Sequence, residues 1–286
     1  MESRLERILV PLDGTEESMA ALDAIDPICR LWHPEVCLLG ITSPECPPGP
    51  IKDSFLEAGR RLEARGLAAS TVLRTGKPAA EILHYSRQER FDLIAMSTHV
   101  QGGLPRFLIG SVTEEVLRHA EIPILVCRPG ATQGDPKRIV VALDGSERAE
   151  EILPHAAALA KKQGAVLDLV RVALPSVTPL GLGEIPLYIP SEDPTPYLQE
   201  VSGRLLAEGV ECHATKLEGR AAAGILNHVT ATGAGLLCMT THGRSGVVRI
   251  LMGSIAEEVL RHSPCPVLIR RMAHVPKSAA QTGGRP

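Results

Sequence analysis

Residues 7–14 read Arg-Ile-Leu-Val-Pro-Leu-Asp-Gly, and residues 138–145 read Arg-Ile-Val-Val-Ala-Leu-Asp-Gly. In both, a run of branched apolar residues ends at Asp-Gly, which reads as a buried strand stopped by a turn. Working outward, a second pair appears: Gly-Ser-x-x-Glu-Glu-Val-Leu-Arg-His at 110–119 and again at 253–262. Each is followed by a short apolar run, 122–127 and 265–269. The chain therefore carries the same unit twice. A unit of this length is too long for a solenoid repeat and matches a whole small domain.

Between these landmarks, copy one alternates apolar runs with helical stretches. Strands are expected at 8–12, 36–41, 70–74, 93–96 and 124–127, and helices at 16–31, 54–65, 78–90 and 111–119. A turn-rich segment (43–50) and a glycine-containing loop (99–110) interrupt the order. Five strands separated by helices predict an α/β fold, a doubly wound open parallel sheet, in each copy. The expected domains are 1–129 and 137–271, with a linker over 129–136 and a disordered tail over 272–286. Asp13 aligns with Asp144 at an offset of 131, whereas Gly76 aligns with Gly219 at 143. The difference is an insertion within 174–197 that carries six prolines. It reads as a long surface loop, either a binding loop or lid or a tolerated insertion.

Composition narrows the function. Apolar residues make up 44% of the 286 positions but aromatic ones only 2%. Buried parallel strands of Leu, Ile, Val and Ala fit this, whereas base-stacking platforms do not. A net charge of -3 gives no basic footprint for nucleic acid. No apolar stretch has the length of a membrane span, and the expectation is a soluble cytoplasmic protein. The seven cysteines form no Cys-x-x-Cys pair, which suits a reduced compartment. No His or Cys spacing predicts a structural metal. No P-loop or Gly-x-Ser-x-Gly elbow is present, and no nucleophile has a base that can be named, so enzymatic turnover is not expected.

In open α/β sheets ligands bind at the carboxyl ends of strands, where strand order reverses. Three segments of each copy should meet there: the Asp13 or Asp144 turn, the end of strand two at Ile41 or Val172, and the stretch after strand four. In copy two that stretch runs from Thr240-Thr-His-Gly243 through nine residues to Gly253-Ser254; in copy one, from Ser97-Thr-His-Val100 to Gly110-Ser111. Glycines beside a helix N-terminus make a backbone cradle for phosphate.

Order and spacing here resemble the universal stress protein family, whose nucleotide-binding members carry Gly-x-x-Gly, nine residues, then Gly followed by Ser or Thr. Copy two has Thr240 at the first glycine and keeps the rest; copy one lacks both early glycines. The resemblance implies ATP or another adenine nucleotide with Mg²⁺ or Mn²⁺, bound mainly in copy two. Asp144 would face the adenosine end, Ala142 and Val172 the adenine, and Gly243, Gly253, Ser254 and the Ile255 backbone the phosphates. The weaker counterparts in copy one are Pro11, Asp13, Ile41, Gly110 and Ser111. The family also implies pairing of the two copies within the chain through their last strands. A further homodimer is compatible with it.

Plainer readings exist for the same residues. Ser111 and Ser254 each begin Ser-x-x-Glu, a helix-capping box. Asp13 and Asp144 could cap the first helix. His99 and His242 follow strands, and His119 and His262 close helices, where a structural role is expected. Thr240 either tightens the loop or closes the pocket. The rival to nucleotide binding is an interaction module that works through the proline-rich loop 175–196, and a slow ATPase is a third reading.

Overall fold

The computed structural model describes residues 5–43, 48–98, 109–132, 134–173, 176–178, 187–189, 193–241 and 252–271. Copy one contains strands β1 (Arg7–Leu12), β2 (Glu35–Thr42), β3 (Ala69–Thr75), β4 (Leu93–Ser97) and β5 (Ile124–Cys127). Its helices are α1 (Ala20–Trp32), α2 (Pro48–Glu63), α3 (Pro78–Gln88) and α4 (Ser111–His119). Copy two repeats the order with β6 (Asp135–Ala142), α5 (Leu153–Gln163), β7 (Val166–Ala173), α6 (Thr195–Ala207), β10 (Cys212–Glu218), α7 (Ala221–Thr232), β11 (Ala234–Thr240), α8 (Ser254–His262) and β12 (Val267–Arg270).

Strand order is β3-β2-β1-β4-β5 in copy one and β10-β7-β6-β11-β12 in copy two, parallel throughout each half. β12 lies antiparallel to β5, with Leu268 opposite Leu125, so ten strands form one sheet. The α/β reading therefore holds. After β3 and β10 the chain crosses to the other side of its first strand, so each half has a switch point between its first and fourth strands.

Alternation along the strands feeds two cores. Ile8, Val10, Ile139 and Val141 face α1, α2, α5 and α6, whereas Leu9, Val140, Ala142 and Val170 face α3, α4, α7 and α8. In α1, buried Ala21, Leu22, Ile25, Ile28 and Cys29 recur at helical spacing and put one stripe against the sheet. Both cores run through both copies. On the first face, Ile28, Trp32 and Leu93 of copy one and His155, Leu159 and Leu268 of copy two line a small, mostly apolar cavity.

Burial, followed by the Arg270 charge, lowers the His155 pKa from 6.5 to about 4. An unfolded His155 takes up its proton near 6.5, before the folded one does. The neutral ring's contribution is thus complete above that value and is lost as the pH falls toward about 4. Because the ring is partly exposed, we expect a loss of about 1–2 kcal/mol across this window. Urea unfolding at a series of pH values, with His155→Leu flattening the slope, checks it.

Two boundaries differ from expectation. Pro48 and Pro50 lie in the first turn of α2 rather than in a turn segment, because proline's missing N–H is harmless there. Within the insertion, β8 (Ser176–Thr178) and β9 (Leu187–Ile189) pair antiparallel, and Pro194 and Pro196 lie at the start of α6. The expected long surface loop therefore contains a short ribbon. The tail 272–286 lies outside the described residues.

Candidate functional site

In copy two the parallel register brings the carboxyl ends of β6, β7 and β11 to one edge. Ala142 and Val172 share the face of the sheet that carries α7 and α8. Beyond β11, the Thr241 N–H donates to the Arg270 carbonyl at 3.2 Å, and the Thr241 carbonyl accepts the Gly253 N–H at 3.0 Å. These bonds tie the start of α8 to the end of β11, beside the switch point. The N-cap of α8 is Gly253, in extended geometry and with no side-chain cap bond. Ser254 is the first helical residue, and both Ser254 and Ile255 are exposed.

This overturns the capping-box reading. A capping serine must sit at the N-cap, one residue before Ser254. Glu257 and Glu114, the would-be box partners, pair instead with Arg261 and Arg118. Ser111 likewise follows an uncapped Gly110 and is exposed. The α8 N-terminus thus keeps its positive end without a side-chain cap. Thr240 is buried and pairs with Arg270 as the last residue of β11, so it belongs to the sheet rather than to the loop. Gly243 and His242 lie outside the described residues, as do His99 and Val100.

The aspartates take a different local role from the cap considered for them. Asp144 Oδ1 accepts the Ser146 N–H at 3.0 Å and its hydroxyl at 2.6 Å, and the Ser146 Oγ then accepts the Ala149 N–H at 3.2 Å. Asp13 holds Thr15 identically, and Thr15 Oγ1 accepts the Ser18 N–H. The hydroxyl residue thus serves the helical turn, while the aspartate shapes the bend that precedes it. Gly14 and Gly145 complete those bends at φ +90 and +86.

Copy one assembles its described counterparts in the same way. Half-buried Pro11 stands on β1, and Ile41 is buried on β2 with the α3 and α4 core. The Thr113 hydroxyl donates to the Ser97 carbonyl at 3.1 Å, holding α4 to the end of β4. His119 and His262 each set Nδ1 2.9 Å from the carbonyl four residues earlier, in keeping with their structural reading.

The described copies diverge at a position that sequence reasoning passed over. Gly40 of copy one corresponds to Arg171 of copy two. A Cβ on Gly40 would stand 2.3 Å from Ile51 Cγ2 and 3.0 Å from Phe55 Cζ, so α2 packs directly on the backbone there. Gly40→Val should therefore destabilise the protein by about 2 kcal/mol, read from urea unfolding. In copy two, Arg171 is only 6% exposed. Its guanidinium stands 5.2 Å from the centre of the Tyr197 ring on α6. A Cβ on Gly145 would lie 2.7 Å from Arg171 Cζ and Nη1. The signal was available: an arginine in the otherwise apolar run Leu169-Val-Arg-Val172, opposite a glycine in the repeat.

Burial first, then the Glu150 and Asp144 carboxylates, push the Tyr197 phenol well above its ordinary range, and Arg171 opposes them. Burial also raises the Cys127 thiol to about 12 and that of Cys265 to about 11, which makes both poor nucleophiles. Among the described residues no group of three His, Cys, Asp or Glu side chains could hold a metal ion, and no helix is long and apolar enough to cross a membrane.

The comparisons with known proteins agree with this architecture. The model of the universal stress protein family matches residues 4–128 and again 136–271. A universal stress protein of Mycolicibacterium smegmatis is 26% identical over 92% of this chain and 96% of its own length. One from Methanocaldococcus jannaschii is 33% identical over 46% of this chain and 81% of its own. The crystal structure of a universal stress protein from Archaeoglobus fulgidus covers 94% of this chain and 97% of its own, with a TM-score of 0.72 and 25% identity. With its two family units in tandem and its α/β sheet, the chain belongs to the universal stress protein family.

Proposed function

We propose that the protein binds an adenine nucleotide, ATP first among them, mainly in copy two, and acts as a stress-linked regulator without fast turnover. The observation that carries this reading is the α8 N-terminus. It has no side-chain cap, it exposes Ser254, and it is held against the end of β11 at the switch point. A helix end placed so is suited to phosphate. Asp144 then takes the adenosine end, Ala142 and Val172 the adenine, and Gly243, Gly253, Ser254 and Ile255 the phosphates. In this reading Mg²⁺ or Mn²⁺ arrives on the phosphates as their counter-ion. Copy one completes an intrachain pair through β5 and β12, in the cytoplasm, and contributes little binding through Pro11, Asp13, Ile41, Gly110 and Ser111.

The test is to denature freshly purified protein, identify the released nucleotide by mass and measure its ratio to chain. One adenine nucleotide per chain supports the assignment, and two would place a working site in copy one as well. None, with no thermal shift on adding ATP and Mg²⁺, would sink it. The β8–β9 ribbon favours a second reading, an interaction module, because a paired backbone ribbon gives a partner a defined element to meet. Deleting 176–195 separates the two: loss of a partner with ATP binding intact assigns the ribbon to that partner.

A further inference from the structure

We infer that Arg171, stacked on Tyr197, is a positioning residue that holds the Asp144–Gly145 turn in its ligand-ready shape and links nucleotide occupancy of copy two to helix α6. This rests on the reading of copy two as an adenine nucleotide site.

Arg171 precedes Val172 by one residue and therefore points to the opposite face of the sheet, where α5 and α6 pack. A cation in an apolar strand is costly unless charge and hydrogen bonds surround it. The surroundings are acidic and aromatic: the Tyr197 ring lies at 5.2 Å, and both Asp144 and Glu150 act on the Tyr197 phenol. Glu150 is held in turn by Arg204 of α6 at 2.6 Å.

The contact with Gly145 is what gives this arrangement a role. At φ +86, and with the guanidinium 2.7 Å from the place of a missing Cβ, the Gly145 bend packs directly against Arg171. The same guanidinium thus lies against both the bend that carries Asp144 and the Tyr197 ring. Tyr197 lies in the first turn of α6, directly after the insertion. The Asp144–Gly145 turn thus has a physical route to α6 through Arg171. In copy one the Gly14 bend instead meets α2 directly, the place of its missing Cβ standing 2.7 Å from Pro50 Cβ, with no arginine between them. Gly40 replaces Arg171, and at the spacing that aligns Gly66 with Gly209, Ser54 replaces Tyr197. The Ser54 hydroxyl is turned back to the Ile51 carbonyl at 2.8 Å.

The experiment uses the full chain, with ATP and Mg²⁺ as probes, and reads two quantities: affinity, and hydrogen exchange of α6 amides at saturating ATP. The wild type should bind ATP and slow exchange in α6. Arg171→Leu should weaken ATP about tenfold and abolish the α6 response even when saturated. Tyr197→Phe keeps the ring and should retain both, whereas Tyr197→Leu should lose the α6 response and also serves should Arg171→Leu fail to fold. A folded Arg171→Leu with wild-type affinity, or with α6 still protected at saturation, overturns the inference and leaves the nucleotide reading standing. So does a wild type that binds ATP without any change in α6. A wild type that binds no ATP removes the reading itself, and the inference falls with it.

Discussion

Ser254→Asp should leave the protein at least as stable as the wild type and deprive it of ATP. The substitution puts a carboxylate at the first position of α8, an exposed site at an uncapped helix N-terminus. A negative charge there interacts favourably with the helix dipole, by about 0.3–1 kcal/mol. The same charge stands where the proposed reading puts a phosphate. Two anions within a few ångströms at a partly exposed site repel by about 3 kcal/mol or more, roughly a 100-fold loss of affinity. Stability and binding therefore move in opposite directions, which a general folding defect cannot imitate. Thermal unfolding and ATP titration on the same preparation check it. Ser111→Asp is the matched control: if copy two is the main site, ATP affinity should hardly change. Unaltered ATP binding by Ser254→Asp would remove α8 from the phosphate site.

Leu268→Asp is expected to have the largest effect on stability. Leu268 is 3% exposed, lies opposite Leu125 across the β5–β12 pairing, and lines the cavity shared with copy one. An unpaired carboxylate buried there should cost about 4 kcal/mol or more. Leu268→Ala, which only opens space, should cost about 2–3 kcal/mol. The single tryptophan, Trp32, belongs to copy one and lines the same cavity. A charge introduced in copy two should therefore redden the emission of a tryptophan in copy one and lower the urea midpoint read from it. Unchanged Trp32 emission and an unchanged midpoint would mean that the two copies do not share this core in solution.

Much of the fold was legible in the chain because duplication makes each landmark appear twice. The strands ending at Asp13 and Asp144, the helices opening at Ser111 and Ser254, and the alternation between them all follow from local pattern. Apolar periodicity and terminators act over a few residues, and those are the distances at which sequence speaks clearly. The start of α2 was misjudged for a related reason: prolines mark turns, but they are equally at home in a first helical turn. The site was legible in part. Asp144, Val172 and Gly253 reach one end of the sheet as the parallel order requires.

What the sequence by itself determined is the repeat, the α/β order and the family. What only the tertiary structure decided is which neighbour each residue meets. Ser254 reads as a cap until its position one residue inside the helix is seen, since Ser-x-x-Glu does not say where the N-cap falls. Arg171 is passed over in the sequence until α6, beyond a proline-rich insertion, lays Tyr197 against it and the Gly145 bend is found packed on its guanidinium. Its counterpart, Gly40, reads as neutral until Ile51 is found lying on it. Such contacts join residues far apart in the chain, and packing shape rather than local preference selects them.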